Sequence, residues 1–215
     1  LTHDDIAKGK HVVVIGFNGK IIDGLNGIYP SYYEVDGVKK ELLVTQLESH
    51  YARKAFPCID EPEAKATFAV TLTTEPNVTV LGNMPVKKQT EQDGLLVTQF
   101  DETPRMSTYL VAWVVGELQK KTAKTSDGVE VSVWSTLAHD PSNLDFALDI
   151  ATRTIEYFDE YFGVPYPLPK ADHVALPDFS AGAMENWGLI TYREIALLVD
   201  PKHTTLSAKH YVACV

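Results

Sequence analysis

The first part of the chain, up to about residue 134, alternates short apolar stretches with turn signals. Residues with β-branched and aromatic side chains are concentrated in His11–Phe17, Leu42–Leu47, Thr67–Thr73, Leu95–Phe100, Tyr109–Val115 and Val129–Trp134. Stretches of this kind are typical of β-strands. Pairs such as Asp36-Gly37 and Asp93-Gly94 lie between them and supply the positive φ angles of tight hairpins. The pattern predicts an all-β region built as a sandwich or a curved sheet.

The spacing of apolar residues changes near residue 135. They now recur at steps of three and four, at Leu144, Ala147, Leu148, Ala151, Ile155, Phe158 and Phe162. This spacing predicts an amphipathic helix. Ser142 and Asp145 predict a helix start of the capping-box type, and Gly163 with Pro165 predicts the end of the helix.

Shorter elements follow this helix. Further strands are predicted at His173–Leu176, Leu189–Tyr192 and Ile195–Val199, and a second helix is predicted to begin near Thr205 or Ser207. The chain is therefore predicted to have a mixed fold in two parts. Residues 1–134 form the β-rich part, and residues 135–215 form a part that combines helices and strands.

Composition narrows the possible partners. A formal charge of −10, from 19 basic and 29 acidic side chains, argues against a nucleic-acid partner, since no basic surplus exists to neutralise phosphates. No run reaches the ~18 apolar residues of a membrane span. Cys58 and Cys214 lie far apart and show no Cys-x-x-Cys spacing, which favours reduced thiols and a cytoplasmic location.

The run Asp178–Gly188 carries the main candidate for chemistry. It places Glu185 beside Asn186 in a stretch rich in Gly and Ala. Small residues let the backbone of a ligand approach the backbone of the protein, and a carboxylate held there is suited to binding a cation. A single Glu in a turn is more often an ordinary surface residue. The residue types alone leave both interpretations open.

The amino-acid sequence of this run resembles a motif of a known family. Gly182–Asn186 reads Gly-Ala-Met-Glu-Asn, which is the exopeptidase motif of the zinc aminopeptidases of the aminopeptidase N family, and the flanks Leu176–Phe179, Trp187–Leu189 and Thr191–Glu194 are similar as well. Gly27–Tyr33 is most similar to bacterial members, among them the cytoplasmic enzymes of lactic acid bacteria.

The resemblance implies roles for the residues of the motif. Glu185 is expected to bind the free α-ammonium group of a peptide, and the backbone of Gly182 and Ala183 to pair with the substrate as an added strand. Substrate-binding roles are likewise expected for Met184 and Asn186. Ala181 corresponds to a position that lines the first side-chain pocket in relatives, and its small size suggests room for a large first side chain.

A second segment, Thr45–Glu48, resembles the Thr-Gln-x-Glu segment of the same family. The resemblance implies that Gln46 and Glu48 line the first substrate pocket and that Glu48 gives the ammonium group a second carboxylate. By pattern alone the segment is a half-buried strand with a polar outer face. A paired-carboxylate hydrolase with Glu48 and Glu185 as acid and base is the other enzymatic interpretation. Asp60-Glu61-Pro62 is interpreted as a structural turn.

No zinc site is predicted within the chain. None of the seven histidines forms a His-Glu-x-x-His pair, the arrangement that would place two imidazoles one helical turn apart. The resemblance implies one zinc ion in the full-length protein, whose ligands, general base and oxyanion-stabilising Tyr would follow Val215.

The fold and function that the resemblance implies are those of a fragment. Residues 1–134 are expected to be the C-terminal part of a β-rich, saddle- or sandwich-like N-terminal domain. Residues 135–215 are expected to begin a thermolysin-like α+β catalytic domain that is cut before its zinc helix. The expected function is release of N-terminal amino acids from peptides, with the isolated fragment inactive. The alternative is a non-catalytic relative that serves as a binding or scaffold module.

Overall fold

A computed structural model describes residues 8–215 as three β-sheets with flanking helices. The strands are β1 Gly27–Val35, β2 Val38–Gln46, β3 Thr71–Thr74, β4 Thr79–Gly82, β5 Val86–Gln92, β6 Leu95–Phe100, β7 Trp113–Gly116, β8 Leu118–Lys124, β9 Glu130–Thr136, β10 Lys170–Leu176, β11 Ala183–Met184 and β12 Leu189–Arg193. The α-helices are α1 Ala52–Ala55, α2 Asp145–Phe162 and α3 Leu206–Cys214. Short 3-10 helices cover Thr108–Leu110, Pro141–Leu144 and Glu194–Ala196.

The first sheet is antiparallel and has the strand order β1-β2-β7-β4. β1 and β2 form a hairpin whose turn residues, Asp36 and Gly37, have φ angles of 51° and 76°. The Asp-Gly pair therefore makes the turn that its sequence predicts. Tyr29, Ser31 and Tyr33 alternate along β1 as buried residues, so one face of this strand packs into the core.

The second sheet is smaller and has the order β3-β6-β5. β6 spans the predicted stretch Leu95–Phe100, and Asp93-Gly94 turns the chain into it with φ angles of 53° and 78°. All seven residues of β5 are exposed. Because no apolar alternation marks β5, the sequence did not predict it.

The third sheet has the order β11-β12-β10-β9-β8. Its three central strands are parallel, while β8 and β11 run antiparallel at the two edges. Helix α2 lies against β8 and β9. β9 runs across the predicted division at residues 134 and 135 and joins strands on both sides of it. The division between the two parts stays a prediction.

The two predicted helices are confirmed, with one correction. α2 ends where predicted, at Gly163, which has φ 64°. α3 begins after Thr205, whose hydroxyl accepts from the N–H of Ala208. The predicted capping box at Ser142 is wrong. Asp140 caps the first turn instead, because its carboxylate accepts from the N–H of Ser142 at 2.8 Å and a 3-10 turn precedes α2.

Two predicted strands are wrong. His11–Phe17 belongs to none of the three sheets of residues 8–215, and Val12, Val13 and Val14 are largely exposed. High β-propensity is insufficient without a neighbouring strand on which the side chains can pack. Ile195–Val199 is also no strand, since Glu194–Ala196 forms a 3-10 turn with Leu198 N–H bonded to Glu194 O. In Tyr109–Val115 only the end forms a strand, where β7 begins at Trp113.

The largest core cluster joins the first and third sheets. Its buried members come from both predicted parts of the chain, among them Tyr29, Leu47, Met106, Val114, Leu176, Met184 and Leu189. Within residues 8–215, no helix is both long and apolar enough to cross a membrane. The mostly β architecture agrees with the predicted fold class.

Candidate functional site

The Gly-Ala-Met-Glu-Asn run lies at an edge of the third sheet. Ala183 and Met184 form β11, which pairs with β12 through Ala183–Tyr192 and Met184–Thr191. β11 is the last strand of this sheet in the sheet order. One side of β11 therefore has no neighbouring strand within the described residues, and an edge of this kind can accept an added strand.

The register decides which peptide groups face the open side. Arg193 N–H donates to Gly182 O at 2.9 Å, so the carbonyl of Gly182 points towards β12. In an antiparallel ladder successive residues turn their N–H and C=O groups to opposite sides. The N–H and C=O of Ala183 therefore point to the open edge. They can form hydrogen bonds with an extended peptide chain.

Side chains at the end of β11 alternate between core and solvent. Met184 is fully buried, Glu185 is exposed, and Asn186 is again buried. The amide of Asn186 donates to Leu189 O at 3.2 Å and to the hydroxyl of Thr191 at 3.3 Å. Met184 and Asn186 thus hold the segment in place, and only Glu185 offers its side chain outward. A ligand would meet Met184 and Asn186 through their backbone.

Space around the first residues of the motif is limited. Ala181 is exposed, but a Cβ placed on Gly182 would lie 3.3 Å from the hydroxyl oxygen of Tyr211 in α3. A Cβ at position 182 would make a tight contact with this tyrosine, whose ring would have to shift by a few tenths of an ångström. The close approach is a physical reason for glycine at this point of the motif.

Gln46 and Glu48 lie at the end of β2. Gln46 is buried, and its Oε1 atom has no hydrogen-bond partner among the described residues. Leu47 is fully buried, and Glu48 is exposed in the turn closed by Tyr51 N–H to Leu47 O. A buried acceptor without a donor is rare and is stabilised by any donor that reaches it.

The structure connects the two segments through the core. Leu47 and Met184, the buried neighbours of Glu48 and Glu185, belong to the same hydrophobic cluster. β1, which pairs Gly27 with Gln46, is hydrogen-bonded to Asp178 just before the motif. Both carboxylates are exposed, and the segments that carry them are anchored in the same core cluster.

A buried polar network lies behind the motif. Lys170 Nζ donates to Gly82 O at 2.9 Å, to Gly188 O at 2.6 Å and to Asp172 Oδ2 at 2.6 Å. The other carboxylate oxygen of Asp172 accepts from Trp134 Nε1 at 2.9 Å. Burial lowers the pKa of Lys170, and Asp172 opposes that shift. The network ties β4 to the turn that follows the motif.

His173 adds a second buried polar pair in the third sheet. Its Nδ1 lies 2.9 Å from the hydroxyl of Tyr192, and Nε2 has no partner among the described residues. Burial lowers the pKa of His173 to about 4, despite the opposing charge of Asp172. Burial also raises the pKa of Tyr192. Both residues line an apolar cavity of about 350 Å³ between α2, the sheet and α3.

The predicted structural turn after α1 is confirmed. Asp60 accepts from the N–H and the guanidinium of Arg53, both at 3.0 Å, and from the hydroxyl of Thr108. Burial alone would raise the pKa of Asp60, but these hydrogen bonds together hold it below its ordinary value. The carboxylate is fully occupied in fixing α1, which follows the Glu48 turn.

No metal centre is formed by the part of the chain that the structure describes. Between residues 8 and 215, no three His, Cys, Asp or Glu side chains come together as metal ligands. The residues present do not fit a zinc ion. What the segment offers instead is a carboxylate and an open strand edge, which together suit recognition of an amine-terminated, extended chain.

The sequence assigned no positioning role to the residues that hold the motif in place. These are Tyr29, Asn83, Lys170 and Asp178, which act over long distances in the chain. Lys170 and Asp172 carried a usable signal. Two opposite charges two residues apart, at the start of an apolar strand, share one face and indicate a buried pair.

The sequence of the chain was compared with known protein families and with individual proteins. A profile described as the Peptidase M1 N-terminal domain matches residues 2–110, and one described as the Peptidase family M1 domain matches residues 146–215. The chain is 53% identical over 209 residues to "Aminopeptidase N" of Lactobacillus helveticus and, equally, to that of Lactococcus lactis subsp. cremoris (strain MG1363). It is 47% identical over 207 residues to "Aminopeptidase M1" of Arabidopsis thaliana.

These matches cover 96% of this chain. They cover 24% of each of the two bacterial relatives and 23% of the plant relative. The chain therefore spans about a quarter of the length of the relatives that it matches.

Proposed function

Because the chain belongs to peptidase family M1, we propose that it is part of a zinc aminopeptidase that releases N-terminal amino acids from peptides. The resemblance seen in the sequence is confirmed at the level of the family. The observation that carries the proposal is Glu185, exposed directly after an edge strand whose open side can bind a peptide. The chain would supply recognition of the substrate amino terminus.

The proposed binding mode uses the open strand edge and three side-chain acceptors. The N–H and C=O of Ala183 pair with the substrate main chain, and Glu185 and Glu48 accept hydrogen bonds from its α-ammonium group. A charge-assisted bond of this kind is stronger than a neutral one, more so where water is excluded. Gln46 Oε1 would be a third acceptor. Because the ammonium exists only at a free N-terminus, the site would measure where the peptide begins.

The proposed zinc ion would be held by residues outside this chain. When bound, it would polarise water for attack on the first peptide carbonyl. We propose that its ligands, the general base and the oxyanion-stabilising Tyr lie outside this chain. The isolated chain of 215 residues is accordingly expected to show no aminopeptidase activity. We also propose a cytoplasmic location, which the unpaired Cys58 and Cys214 support.

The test uses the intact protein and an aminoacyl chromogenic substrate. Glu185→Gln is expected to raise KM by about tenfold to a hundredfold, since hydrogen bonds to charged groups contribute about 1.5–3 kcal/mol. Glu48→Gln should raise KM in the same direction. Glu91→Gln, in the exposed strand β5, is the matched control and should leave KM unchanged.

Two outcomes would count against the proposal. An unchanged KM in Glu185→Gln would show that Glu185 does not bind the substrate ammonium group. A wild-type protein that binds peptides but never hydrolyses them, even with added zinc, would favour the alternative of a non-catalytic binding module.

A further inference from the structure

The motif segment is held at both ends by opposite edges of the first sheet. In the order β1-β2-β7-β4, the strands β1 and β4 form the two edges. β1 contacts Asp178, before the motif. Asn83, directly after β4, donates to Trp187 O after the motif, and Lys170 of β10 connects Gly82 O of β4 to Gly188 O. The third sheet thus carries the motif, and the first sheet fixes its ends.

The contact at Asp178 consists of four hydrogen bonds. Its Oδ2 atom accepts from Tyr32 N–H at 2.7 Å and from the Ser31 hydroxyl at 3.3 Å. The Ser31 oxygen in turn accepts from Asp178 N–H at 2.9 Å. The hydroxyl of the fully buried Tyr29 donates to Asp178 O at 2.9 Å. Both the backbone and the side chain of Asp178 are therefore fixed to β1.

The contact at the far end is equally specific. Asn83 follows β4 and donates from Nδ2 to Trp187 O at 2.8 Å, while Ala112 N–H donates to Asn83 Oδ1 at 2.9 Å. Lys170 bridges Gly82 O and Gly188 O. With both ends fixed, the segment between them has little freedom to shift along the sheet.

β1 connects this support to the second carboxylate. It pairs with β2 so that Gly27 lies opposite Gln46, two residues before Glu48. A change in how β1 holds Asp178 would therefore alter the position of Glu185 relative to Gln46 and Glu48. Precise spacing of binding groups matters, since small displacements of a positioned group weaken recognition strongly.

We propose that Asp178, held by Tyr29 and Ser31 of β1, is a positioning residue that sets the spacing between the two amine-binding carboxylates. This rests on the proposed function. Asp178 contacts no substrate in this scheme, and it acts through Glu185. Its loss should weaken recognition of the amino terminus more than it slows the chemical step.

The test is a matched pair of variants in the intact protein. Tyr29→Phe and Tyr33→Phe each remove one hydroxyl from a buried tyrosine of β1 that donates to a backbone carbonyl. Only the hydroxyl of Tyr29 reaches Asp178, whereas that of Tyr33 reaches Glu117 O. Tyr29→Phe should raise KM for an aminoacyl substrate about threefold to tenfold, with kcat within about twofold, and Tyr33→Phe should leave KM unchanged.

A second pair tests Asp178 itself. Asp178→Ala should raise KM more than Tyr29→Phe does, and Asp178→Asn should restore most of the loss, because an amide oxygen can still accept from Tyr32 N–H. Thermal melting of every variant separates loss of folded protein from a changed KM. If Asp178→Ala fails to fold, the KM values of Tyr29→Phe and Tyr33→Phe still test the positioning role of Asp178.

The results separate the two proposals. Wild-type hydrolysis together with a raised KM in Glu185→Gln supports the proposed function. With those in hand, an unchanged KM in Tyr29→Phe, or equal KM changes in both tyrosine variants, overturns the positioning role alone. A wild-type protein without hydrolysis overturns both proposals.

Discussion

The β5–β6 hairpin and the β11–β12 hairpin both reverse the chain with a glycine at positive φ, but different forces stabilise them. Val86–Phe100 forms a long ladder of paired residues around the Asp93-Gly94 turn, and its outer strand is fully exposed. In contrast, β11 has only two residues, and its turn ends at Gly188 with φ 72°.

The short hairpin compensates through distant contacts. Asn83 and Lys170 donate to the two carbonyls of its turn, and Asp178 fixes the chain ahead of it. The long hairpin is determined by neighbouring residues, and the short one by residues far away in the chain. A two-residue strand that keeps one position while leaving an edge open cannot rely on its own ladder.

The largest difference between the hairpins should appear at their glycines. A Cβ at Gly188 would lie 2.2 Å from the backbone oxygen of Asn83, whereas a Cβ at Gly94 would meet nothing within 4 Å. Both positions have positive φ, which costs an alanine about 1–2 kcal/mol. Gly188→Ala adds severe overlap, so its expected loss of unfolding free energy is about 5 kcal/mol. Urea unfolding of the two variants measures this.

Similar losses in Gly188→Ala and Gly94→Ala would contradict the comparison. They would mean that the turn of β11–β12 can move away from Asn83 at little cost. The hydrogen bond from Asn83 to Trp187 O would then not fix the segment.

The next largest effect on the unfolding free energy is expected from replacing the buried Lys170, compared with the exposed Lys88. Lys170→Met removes the buried ammonium group that donates to Asp172 Oδ2, Gly82 O and Gly188 O, and leaves the charge of the buried Asp172 carboxylate without its partner. Breaking a buried pair in this way costs about 3–5 kcal/mol. Lys88→Met, in the exposed strand β5, is the matched control and should change the unfolding free energy by less than about 0.5 kcal/mol. Equal urea midpoints for the two variants would show that the buried network contributes nothing.

The same contrast explains what the sequence could predict. β6 and the Asp93-Gly94 turn follow from local rules, because alternation and turn chemistry act between neighbours. β11 has no such signal, and the residue types of its motif left its role open until the resemblance was considered. Several of the bonds that position it join distant residues, such as Lys170 and Gly82, 88 positions apart, and Tyr29 and Asp178, 149 positions apart.

Errors in the prediction have the same physical origin. His11–Phe17 has the composition of a strand, but strand formation depends on a partner that composition does not reveal. The exposure of Glu185 and Glu48 fits the predicted sites, whereas the burial of Met184 and Asn186 depends on tertiary packing. Their roles in substrate binding stay predictions.

Acid should affect the two hairpins differently. His173 lies beside β12, contacts Tyr192, and has a pKa near 4 in the folded protein against 6.5 as its ordinary value. Below about pH 6.5, His173 therefore becomes protonated in the unfolded chain, whereas in the folded protein it stays neutral down to about pH 4. Stability should fall between about pH 6.5 and pH 4, by about 3 kcal/mol at most. Asp172 opposes the shift and Lys170 adds to it.

Comparison of wild type with His173→Gln isolates the contribution of His173 to the loss of stability in acid, because the other acid-sensitive groups are common to both proteins. The variant should lose less stability between pH 7 and pH 4.5. Hydrogen exchange should show the wild-type loss in β12 rather than in β6, since Val86–Phe100 contains no histidine. Parallel pH profiles for the two proteins would exclude a contribution from His173.

The smallest expected effect compares a fully buried hydrogen bond, donated by Asn186, with a partly buried one, donated by the exposed Gln89. Asn186 and Gln89 each donate from a side-chain amide to a threonine hydroxyl in their own hairpin, at 3.3 Å and 2.8 Å. Distance alone would make Gln89 more important. Burial predicts the reverse, because Asn186→Ala leaves Leu189 O and Thr191 without a buried donor at a cost of about 1–2 kcal/mol, while water replaces the amide of Gln89. A larger loss in Gln89→Ala than in Asn186→Ala, measured by urea unfolding, would show that distance outweighs burial in these hairpins.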